Sequence, residues 1–585
     1  MFKNHIFKYL FCQVGVTILI FSNSFADTQR PQPEEGFGRQ ESQLSVGRSI
    51  MVATAHPIAS KVGFDILKKG GTAADAAIAI QLALNVVEPQ SSGIGGGGFA
   101  LYWNASEKTL KSYDGRETAP KSATADMFLY KDGMKRKFWD VVPGGLSVGV
   151  PGTLALLEKL HLNYGLIAWK ELFKPAIDLA ANGFPVSSRL VNSIKRARLK
   201  KLKFFDDTHN IFFKKDGSEY SPGEIIRNKE LAQTFKIISQ QGSKAVYNGV
   251  IGDQIVRTVK SSRVNPGLIE ESDLERYEVK ERTPVCLPYR DYKICGMGPP
   301  SSGGLTVGLI LGILENSQLK AIGRSVEGIH LFIEASKLAY ADRNLYIADS
   351  DFVSVPSQGL MDKAYLKERF TKITRSPIKK AKPGTPPGSE ELLRQLHQHK
   401  ESAGTTHFSV VDSYGNSLSL TSTIETGFGS RLIAGGFLLN NEMTDFAFVP
   451  KKKDGLIANR VEGGKRPRSS MSPTIILKNN KPYLLLGSPG GSRIISYVAK
   501  TIISILDWGM DPQSAINSGH VVNRNGVTEI EEASDALIFK KGLSQLGHQI
   551  KVRDLNSGIQ IIQINDDGTL VGAADPRREG LVIGD

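Results

Sequence analysis

An abrupt change of character at residue 404 constrains the fold of this chain more than any other feature of its sequence. Residues 376–404 are rich in Pro, Gly, Lys, Gln and His and have no periodic apolar face, which predicts a mobile, exposed linker. β-Forming residues follow at once, in a hairpin made of residues 405–412, a turn at 413–416 and residues 417–423. A flexible segment that meets a strand without an intervening loop indicates that the chain is cut at this junction.

The rest of the chain mixes helical and strand patterns. Residues 57–87 predict two helices, the second of which begins with a capping box formed by Thr72 and Asp75. A second hairpin, residues 474–478 and 482–487, leads through Ser488-Pro489-Gly490-Gly491 into an apolar helix over residues 492–506. With 585 residues, 40% of them hydrophobic, the chain is large enough for more than one packing layer.

The N-terminus has the pattern of a secretory signal peptide. Lys3 and Lys8 precede an apolar stretch over residues 14–21, and Ser24-Phe25-Ala26 offers small residues at a cleavage position. The stretch is too short for a membrane span, and no other apolar run reaches spanning length. We therefore expect residues 1–26 to be removed and the mature protein to be periplasmic or secreted, without a membrane anchor.

The formal net charge of +14 does not by itself indicate a nucleic-acid partner. The basic residues are scattered, and the single dense run, residues 195–203, is typical of the solvated face of a helix. We expect no nucleic-acid binding.

Only two cysteines, Cys286 and Cys295, follow the signal peptide, which is too few for a cysteine-based metal site or a disulfide scaffold. They lie in a predicted hairpin that turns at Arg290-Asp291, so the two residues are placed opposite each other and a disulfide is feasible. Two unpaired thiols fit the sequence equally well.

Three local motifs resemble functional sites but stand in the wrong context. Gly93-x-Gly95-x-x-Gly98 matches a dinucleotide fingerprint, yet a helix precedes it and a strand follows, the reverse of the required order. Ser147 lies in a Gly-x-Ser-x-Gly motif that Val150-Pro151-Gly152 separates from the next helix. His407 is expected to be a packed strand histidine rather than a base. We predict no cofactor and no metal.

Thr405 is the candidate nucleophile. Gly404 precedes it, and the missing side chain leaves the Gly404 carbonyl open to attack by the Thr405 hydroxyl. Such an attack converts the peptide bond to an ester, whose hydrolysis makes Thr405 an N-terminal residue. Its free α-amine, with a reference pKa of roughly 8, then serves as the base for its own hydroxyl.

Several stretches across residues 42–585 together resemble the γ-glutamyltransferase (γ-glutamyl transpeptidase) family of N-terminal nucleophile hydrolases. They are residues 71–76, 91–98, 114–120, 299–304, 405–412, 439–446, 465–473 and 487–493. The resemblance implies an α+β fold, a four-layer αββα sandwich built from a large subunit, residues 27–404, and a small catalytic subunit, residues 405–585, which pair as a heterodimer. It also implies transfer of γ-glutamyl groups from glutathione and related compounds to water or to amino-acid or dipeptide acceptors.

The resemblance assigns catalytic roles to four residues. Thr405 matches the nucleophile and, with Gly404, the cleavage site. Thr423 matches the threonine that hydrogen-bonds the nucleophile hydroxyl, and the hairpin brings the two threonines to the ends of neighbouring strands. Gly490 and Gly491 match the oxyanion hole, where amides at a strand-to-helix junction face developing negative charge.

Substrate-binding residues carry over in the same way. Arg116 matches the arginine that holds the substrate α-carboxylate, and Ser469 and Ser470 match its hydroxyl helpers. Glu442 and Asp445 match the groups that hold the α-ammonium.

Glu425 stands where many relatives have Asn, which gives the site a third carboxylate. Crowded acids raise one another's pKa unless a cation lies among them, so we infer a preference for substrates that carry a cationic α-amine.

Two alternatives within the family and one outside it remain. A glutaryl or cephalosporin acylase would use an acyl group that lacks the amine. The segment between Asp445 and Ser469 has no aromatic residue beyond Phe448 to form a lid, and an open site would also admit poly-γ-glutamate, as in depolymerases. A non-catalytic γ-glutamyl-binding protein would keep the pocket but remain one chain.

Overall fold

The computed structural model describes residues 36, 39–40, 42–198, 201–389, 394–397, 404–452 and 455–585. The predicted signal peptide, residues 1–26, and Ala403, just upstream of the predicted cleavage site, lie outside this part of the chain. Within the described ranges, no helix has both the length and the apolar character needed to cross a bilayer.

Two antiparallel seven-stranded sheets form the centre of the molecule, and helices flank them. In chain order the strands are β1 Ser45–Gly47, β2 Met51–Thr54, β3 Gly97–Asn104, β4 Thr109–Gly115, β5 Phe184–Pro185, β6 Ile225–Ile226, β7 Lys280–Arg282, β8 Val285–Tyr289, β9 Tyr292–Gly296, β10 Gly404–Val411, β11 Ser417–Glu425, β12 Ile433–Ala434, β13 Phe437–Leu438, β14 Lys451–Lys452, β15 Gly455–Leu456, β16 Thr474–Lys478, β17 Lys481–Gly487, β18 Val521–Val522, β19 Thr528–Glu531, β20 Ile550–Arg553, β21 Gln560–Ile564, β22 Leu570–Ala574 and β23 Leu581–Gly584. The α-helices are α1 Pro57–Lys68, α2 Ala73–Val87, α3 Phe138–Val141, α4 Thr153–Tyr164, α5 Trp169–Asn182, α6 Ser188–Arg198, α7 Asp206–Phe212, α8 Lys229–Gln241, α9 Lys244–Tyr247, α10 Val250–Lys260, α11 Glu271–Glu275, α12 Gly303–Leu314, α13 Leu319–Ile322, α14 Val326–Tyr346, α15 Ser357–Leu360, α16 Lys363–Thr371, α17 Ile494–Leu506, α18 Pro512–Asn517 and α19 Lys540–Leu546.

The two sheets pack face to face. The first has the order β1-β22-β21-β17-β16-β9-β8, and the second has the order β23-β2-β10-β11-β3-β4-β7. Apolar side chains from both sheets, among them Leu101, Val411 and Leu485, fill the space between them. Each sheet therefore takes strands from both sides of residue 404, which ties the two halves of the chain into one core.

Helices cover the two outer faces. The second sheet packs against α1, α2, α4 and α5 through residues such as Tyr102, Phe408 and Leu420. The first sheet packs against α12, α14 and α17 through residues such as Ile476 and Leu486. The predicted four-layer αββα architecture is confirmed.

The hairpin predicted after residue 404 forms from β10 and β11, and its two faces follow the period of a strand. Phe408 and Val410 point to the helices, whereas Val411 faces the other sheet. The register pairs Thr405 with Thr423 and Thr406 with Ser422. The alternation of side chains along the two strands thus places Thr405 and Thr423 on the face toward the first sheet.

The glycine-rich run after α2 is a close backbone approach rather than a cofactor loop. A Cβ on Gly96 would lie 2.0 Å from the Thr423 carbonyl oxygen, and one on Gly95 would lie 2.1 Å from that of Leu438. The run therefore brings the start of β3 against the functional end of β11.

The described part of the segment predicted as an exposed linker, residues 376–389 and 394–397, lies against the body of the protein. It has no helix or strand, but Ala381 and His397 are buried. The Gly384 amide donates to Asp342 Oδ1 at 2.8 Å, and the His397 amide donates to the Asn344 carbonyl at 2.9 Å. Many of these residues are exposed, as the composition predicted, but the contacts of Gly384 and His397 go to distant groups that no local pattern reveals.

The hairpin of β8 and β9 pairs Cys286 with Cys295, and the two residues form a disulfide. The structure decides in favour of the bonded alternative. Cys295 is buried between the sheets, in the core that contains Leu101 and Leu485. The disulfide therefore joins β8, an edge strand of the first sheet, to its neighbour β9.

Candidate active site

Thr405 and Thr423 lie side by side where β10 begins and β11 ends. The Thr405 hydroxyl donates to Thr423 Oγ1 at 3.2 Å, and both residues are buried. Thr423 Oγ1 in turn donates to the Gly404 carbonyl oxygen at 2.8 Å and accepts the Glu425 amide at 2.8 Å. The hydroxyl of Thr423 therefore contacts both the candidate nucleophile and the carbonyl that it would attack.

Gly404 has a steric reason to be glycine that the sequence did not reveal. A Cβ at this position would lie 2.5 Å from the Thr426 carbonyl carbon and 2.7 Å from the Gly427 nitrogen. A substituted residue would have to push the backbone after β11 away. The glycine thus holds the predicted cleavage site tightly against the segment that carries Glu425.

Gly490 and Gly491 stand between β17 and α17. Their φ angles, 136° and 57°, belong to the region that favours glycine, and a 3₁₀ turn over Gly491–Arg493 leads into α17. Within the described residues neither amide has a protein acceptor, since helix starts leave their first donors unused. The Tyr497 ring packs under this turn, 2.7 Å from where a Gly490 Cβ would be.

Arg116 follows β4 and is completely buried. Its guanidinium bonds Glu442 and lies 2.6 Å from Asp445 Oδ2, and its Nε donates to the Pro467 carbonyl at 3.1 Å. The arginine predicted to bind a carboxylate and the acids predicted to bind an ammonium therefore pair with one another in this structure.

Burial dominates the electrostatics of these acids. It raises the pKa of Glu442 well above its usual range, with Arg116 opposing the shift and Glu117 and Glu425 adding to it. It raises the pKa of Glu117 to about 7, again against Arg116. Burial lowers the pKa of Arg116. The negative charges of Glu442, Glu117 and Asp445 outweigh this effect and raise the pKa above its usual value. The cluster holds more acid than one guanidinium balances, which favours a second cation.

Ser469 and Ser470 lie on the segment just before β16. The Met471 amide donates to Ser469 Oγ at 3.1 Å, and Arg343 donates to Ser470 Oγ at 2.6 Å. Because each hydroxyl oxygen already accepts a hydrogen bond, its own hydrogen is available for an anion in the pocket. Arg343, on the buried helix α14, was missed by the sequence analysis; Asp342 and Asn344 flank it, so the local sequence does not single it out.

Glu425 ends β11 with φ 76°, an unusual angle for a residue with a side chain. The backbone turns there, and Asn441 Nδ2 donates to Glu425 Oε2 at 2.7 Å. Glu425 is buried, and its carboxylate raises the pKa of nearby Glu442. Asn441, next to the predicted site residue Glu442, orients this carboxylate and was not itself predicted as a site residue.

One pocket collects nearly all of the predicted site residues. Its lining comprises Arg116, Thr405, Thr423, Glu425, Glu442, Asp445, Ser469, Ser470, Met471, Gly491 and Ile494. Gly490 adjoins Gly491 in the chain, and Gly404 adjoins Thr405. The segments that contribute are far apart in sequence, so only the sandwich fold brings them together.

Two residues that the sequence analysis set aside lie outside this pocket. The Ser147 hydroxyl donates to the Val142 and Gly144 carbonyls and is buried. His407 is packed between the sheets, where its Nδ1 lies 2.8 Å from Thr421 Oγ1. Burial lowers the pKa of His407 to about 3, which makes it a poor base near neutral pH.

One group of side chains elsewhere in the described ranges has the spacing of metal ligands. His330, Glu334 and His548 are buried together. The two histidines hydrogen-bond each other at 2.8 Å, and Lys337 Nζ lies 2.7 Å from Glu334 Oε1. The lysine already supplies the positive charge that a cation would bring to this carboxylate.

The chain is similar to known proteins over nearly its whole length. A family model described as gamma-glutamyltranspeptidase matches residues 59–584. The chain is 40% identical over 556 residues to the glutathione hydrolase proenzyme of Bacillus subtilis strain 168, covering 93% of this chain and 92% of the relative. It is 37% identical over 577 residues to the glutathione hydrolase proenzyme of Escherichia coli K12, covering 97% of each.

Solved structures of the N-terminal nucleophile hydrolase class share the fold. The cephalosporin acylase of Bacillus halodurans superimposes with a TM-score of 0.83 at 27% identity, covering 95% of this chain and 99% of the acylase. The γ-glutamyltranspeptidase of Helicobacter pylori gives a TM-score of 0.53 at 39% identity, covering 60% of this chain and 96% of that one. From the family match, the two relatives and the shared architecture, the chain belongs to the γ-glutamyltranspeptidase family.

Proposed function

We propose that this protein cleaves itself between Gly404 and Thr405 and then acts as a γ-glutamyl hydrolase and transferase on glutathione and related γ-glutamyl compounds. The observation that supports this most strongly is the composition of one pocket. It contains a paired threonine hydroxyl, Thr405 with Thr423, and binding groups of both charges, Arg116 opposite Glu442 and Asp445. The curated relatives named glutathione hydrolase proenzyme support both the substrate and the self-cleavage.

Maturation would follow from the hydrogen bonds around Thr423. Thr405 Oγ1 attacks the Gly404 carbonyl carbon, while the Thr423 hydroxyl stabilises the oxygen to which it already donates at 2.8 Å. The C–N bond breaks, a C–O ester forms, and the hydroxyl proton moves to the departing nitrogen. Water then hydrolyses the ester, releasing the Gly404 carboxylate and restoring the Thr405 hydroxyl beside a free α-amine.

In turnover, the Thr405 hydroxyl would again act as the nucleophile. The α-amine of Thr405 takes the hydroxyl proton, and Oγ1 attacks the γ-carbonyl of the substrate. The amides of Gly490 and Gly491 would stabilise the oxyanion, each worth roughly 3–4 kcal/mol of transition-state energy. The resulting γ-glutamyl ester on Thr405 passes to water or to an amino-acid or peptide amine.

Recognition would exchange the ion pairs between Arg116 and its own acids for ion pairs with the substrate. A γ-glutamyl group carries an α-carboxylate and an α-ammonium, which complement Arg116 on one side and Glu425, Glu442 and Asp445 on the other. Ser469 and Ser470 would add hydroxyl donors to the carboxylate. Because Arg116 pairs with acids of this chain, binding a zwitterion replaces those contacts without leaving a buried charge alone.

The mature protein would be a heterodimer of residues 27–404 and 405–585, exported to the periplasm or beyond. Strands from both sides of residue 404 share each sheet, so cleavage would leave the subunits joined by the common core. The signal-peptide pattern at residues 1–26 supports export.

The decisive experiment compares wild type with Thr405→Ala. Wild type should yield two chains by mass spectrometry and release the anilide from a γ-glutamyl anilide, whereas Thr405→Ala should remain one chain without turnover. Thr501→Ala, in the buried helix α17 and outside the pocket, is the matched control and should behave as wild type. Cleavage and turnover by Thr405→Ala would refute the proposal, and a wild type that stays one chain would favour a binding protein.

A further inference from the structure

The strand that carries Thr405 is supported by a second strand along only part of its length. β10 pairs with β11 from Gly404 to Val411, but β2 joins its other side only at Ser409–Val411. Residues 405–408 therefore have a strand neighbour on one side. Side chains from two distant segments occupy the other side at Thr405 and Thr406.

Arg578, between β22 and β23, holds the main chain of Thr405. Its NH1 donates to the Thr405 carbonyl oxygen at 3.3 Å, and its Nε donates to the Ser557 carbonyl at 3.1 Å. The side chain is fully buried, with NH1 lying 3.7 Å from Glu88 Oε1.

Glu88, at the C-terminal end of α2, holds the next residue. The Thr406 hydroxyl donates to Glu88 Oε2 at 2.8 Å. Arg189 bonds Glu88 Oε1, and the Ser91 hydroxyl donates to the same oxygen at 3.1 Å. Glu88 is thus fixed from several directions, and through it the side chain of Thr406 is fixed as well.

These contacts gain importance once the chain is cut. Cleavage would remove Gly404 and with it the hydrogen bond from Thr423, so Thr405 becomes the first residue of a chain. Terminal residues fray unless they are tied down. A catalytic hydroxyl that moves by about 1 Å loses on the order of a hundredfold in rate. A free end that must act as nucleophile and base therefore needs anchors of its own.

We propose that Arg578 and Glu88 are positioning residues that hold the first two residues of the small subunit, so that the Thr405 hydroxyl stays directed into the pocket. This inference rests on the proposed function. Neither residue lines the pocket, so neither contacts substrate. Their loss should lower kcat while leaving the KM for a γ-glutamyl anilide nearly unchanged.

The sharpest test is a pair of variants at Thr406. Thr406→Val keeps the shape but removes the hydroxyl that bonds Glu88, and it should lower kcat about tenfold with KM within about twofold of wild type. Thr406→Ser retains the hydroxyl and should restore kcat to within about twofold of wild type. Equal kcat values for wild type and Thr406→Val would overturn the role of Glu88.

Arg578→Lys tests the other anchor, because a lysine cannot reproduce the two directed contacts of the guanidinium. We expect kcat to fall about thirtyfold or more. Arg369→Lys is the matched control: Arg369 is also buried, pairs with Asp342 at 3.1 Å and lies outside the pocket. Its kcat should stay at the wild-type value.

The remaining outcomes also decide the matter. If Arg578→Lys fails to self-cleave but melts at the temperature of the Arg369→Lys control, the positioning role is supported, since attack on Gly404 needs the same placement of Thr405. If it melts lower and stays uncleaved, Arg578 acts on folding rather than on positioning and its proposed role is overturned, while the Thr406 pair still tests Glu88. Normal cleavage with unchanged kcat in Arg578→Lys would overturn its role, whereas an inactive, uncleaved wild type would instead refute the proposed function.

Discussion

The two ends of the pocket are built in contrasting ways. At the nucleophile end, Thr405, Thr423 and the Gly490–Gly491 turn are uncharged, and strand register together with backbone geometry sets their positions. At the recognition end, Arg116, Glu442 and Asp445 are charged, buried and paired with one another across segments distant in sequence.

The difference indicates that the two ends of the pocket have separate roles. A hydroxyl held by main-chain pairing needs no ligand to be in place, so it is available for self-cleavage before any substrate has bound. Buried charges that pair with one another change partners only for a ligand that brings both charges. The nucleophile end should therefore govern self-cleavage and kcat, and the recognition end should govern the choice of substrate.

The largest expected effect tests recognition through the substrate. Replacing a γ-glutamyl anilide with its glutaryl analogue removes the ammonium and leaves the three acids without a second cation, so kcat/KM should fall about 100- to 1,000-fold. In Glu425→Gln the difference between the two substrates should narrow. Steady-state kinetics measure both values, and equal rates for the two substrates in wild type would contradict the assignment and favour an acylase.

The next effect tests the nucleophile end. Thr423→Val removes the hydroxyl that contacts Thr405 and Gly404, so self-cleavage should slow and kcat should fall about 100-fold, with KM little changed. Ser422→Ala, at the adjacent buried position on the opposite face of β11, should leave both unchanged. A Thr423→Val protein that cleaves and turns over normally would remove this threonine from the mechanism.

Arg116→Lys should affect the recognition end of the pocket without affecting the nucleophile end. Lysine keeps the charge but cannot bind a carboxylate in a bidentate manner, so KM for the γ-glutamyl anilide should rise about thirtyfold. Self-cleavage, followed by gel electrophoresis after expression, should proceed normally because no substrate is involved. Arg282→Lys, at an arginine that bonds Asp114 at 2.7 Å outside the pocket, serves as the control. Loss of self-cleavage in folded Arg116→Lys would show that the ends are not independent.

The smallest effect concerns stability and pH. Burial raises the pKa of Glu117 from 4.5 to about 7, so between these values the folded protein keeps a proton that the unfolded chain releases. Stability should therefore fall as pH rises through this window, by about 2–3 kcal/mol from this group. Melting temperatures measured from pH 5 to 8 should decline less in Glu117→Gln than in wild type. An equal or steeper decline would show that Glu117 does not cause the pH dependence of stability.

Much of the secondary structure could be predicted because its signals are local. The capping box of Thr72 and Asp75 forms as expected, and the hairpin register places Thr405 opposite Thr423. The pairing of Arg116 with Glu442 and Asp445 could not be predicted, because it depends on an approach between segments more than 300 residues apart. The contacts that Gly384 makes with Asp342 and that His397 makes with Asn344 were missed for the same reason.

By itself, the sequence determined the strand and helix periods, the junction at residue 404 and the family resemblance that assigned roles to the site residues. These follow from local residue patterns and from motifs read in order along the chain. Only the tertiary structure decided that Gly404 is sterically required, that Cys286 bonds Cys295 and that Arg116 pairs with Glu442 and Asp445. Those outcomes depend on which distant backbones and side chains the packed sandwich brings within contact, and burial then sets the strength of their interactions.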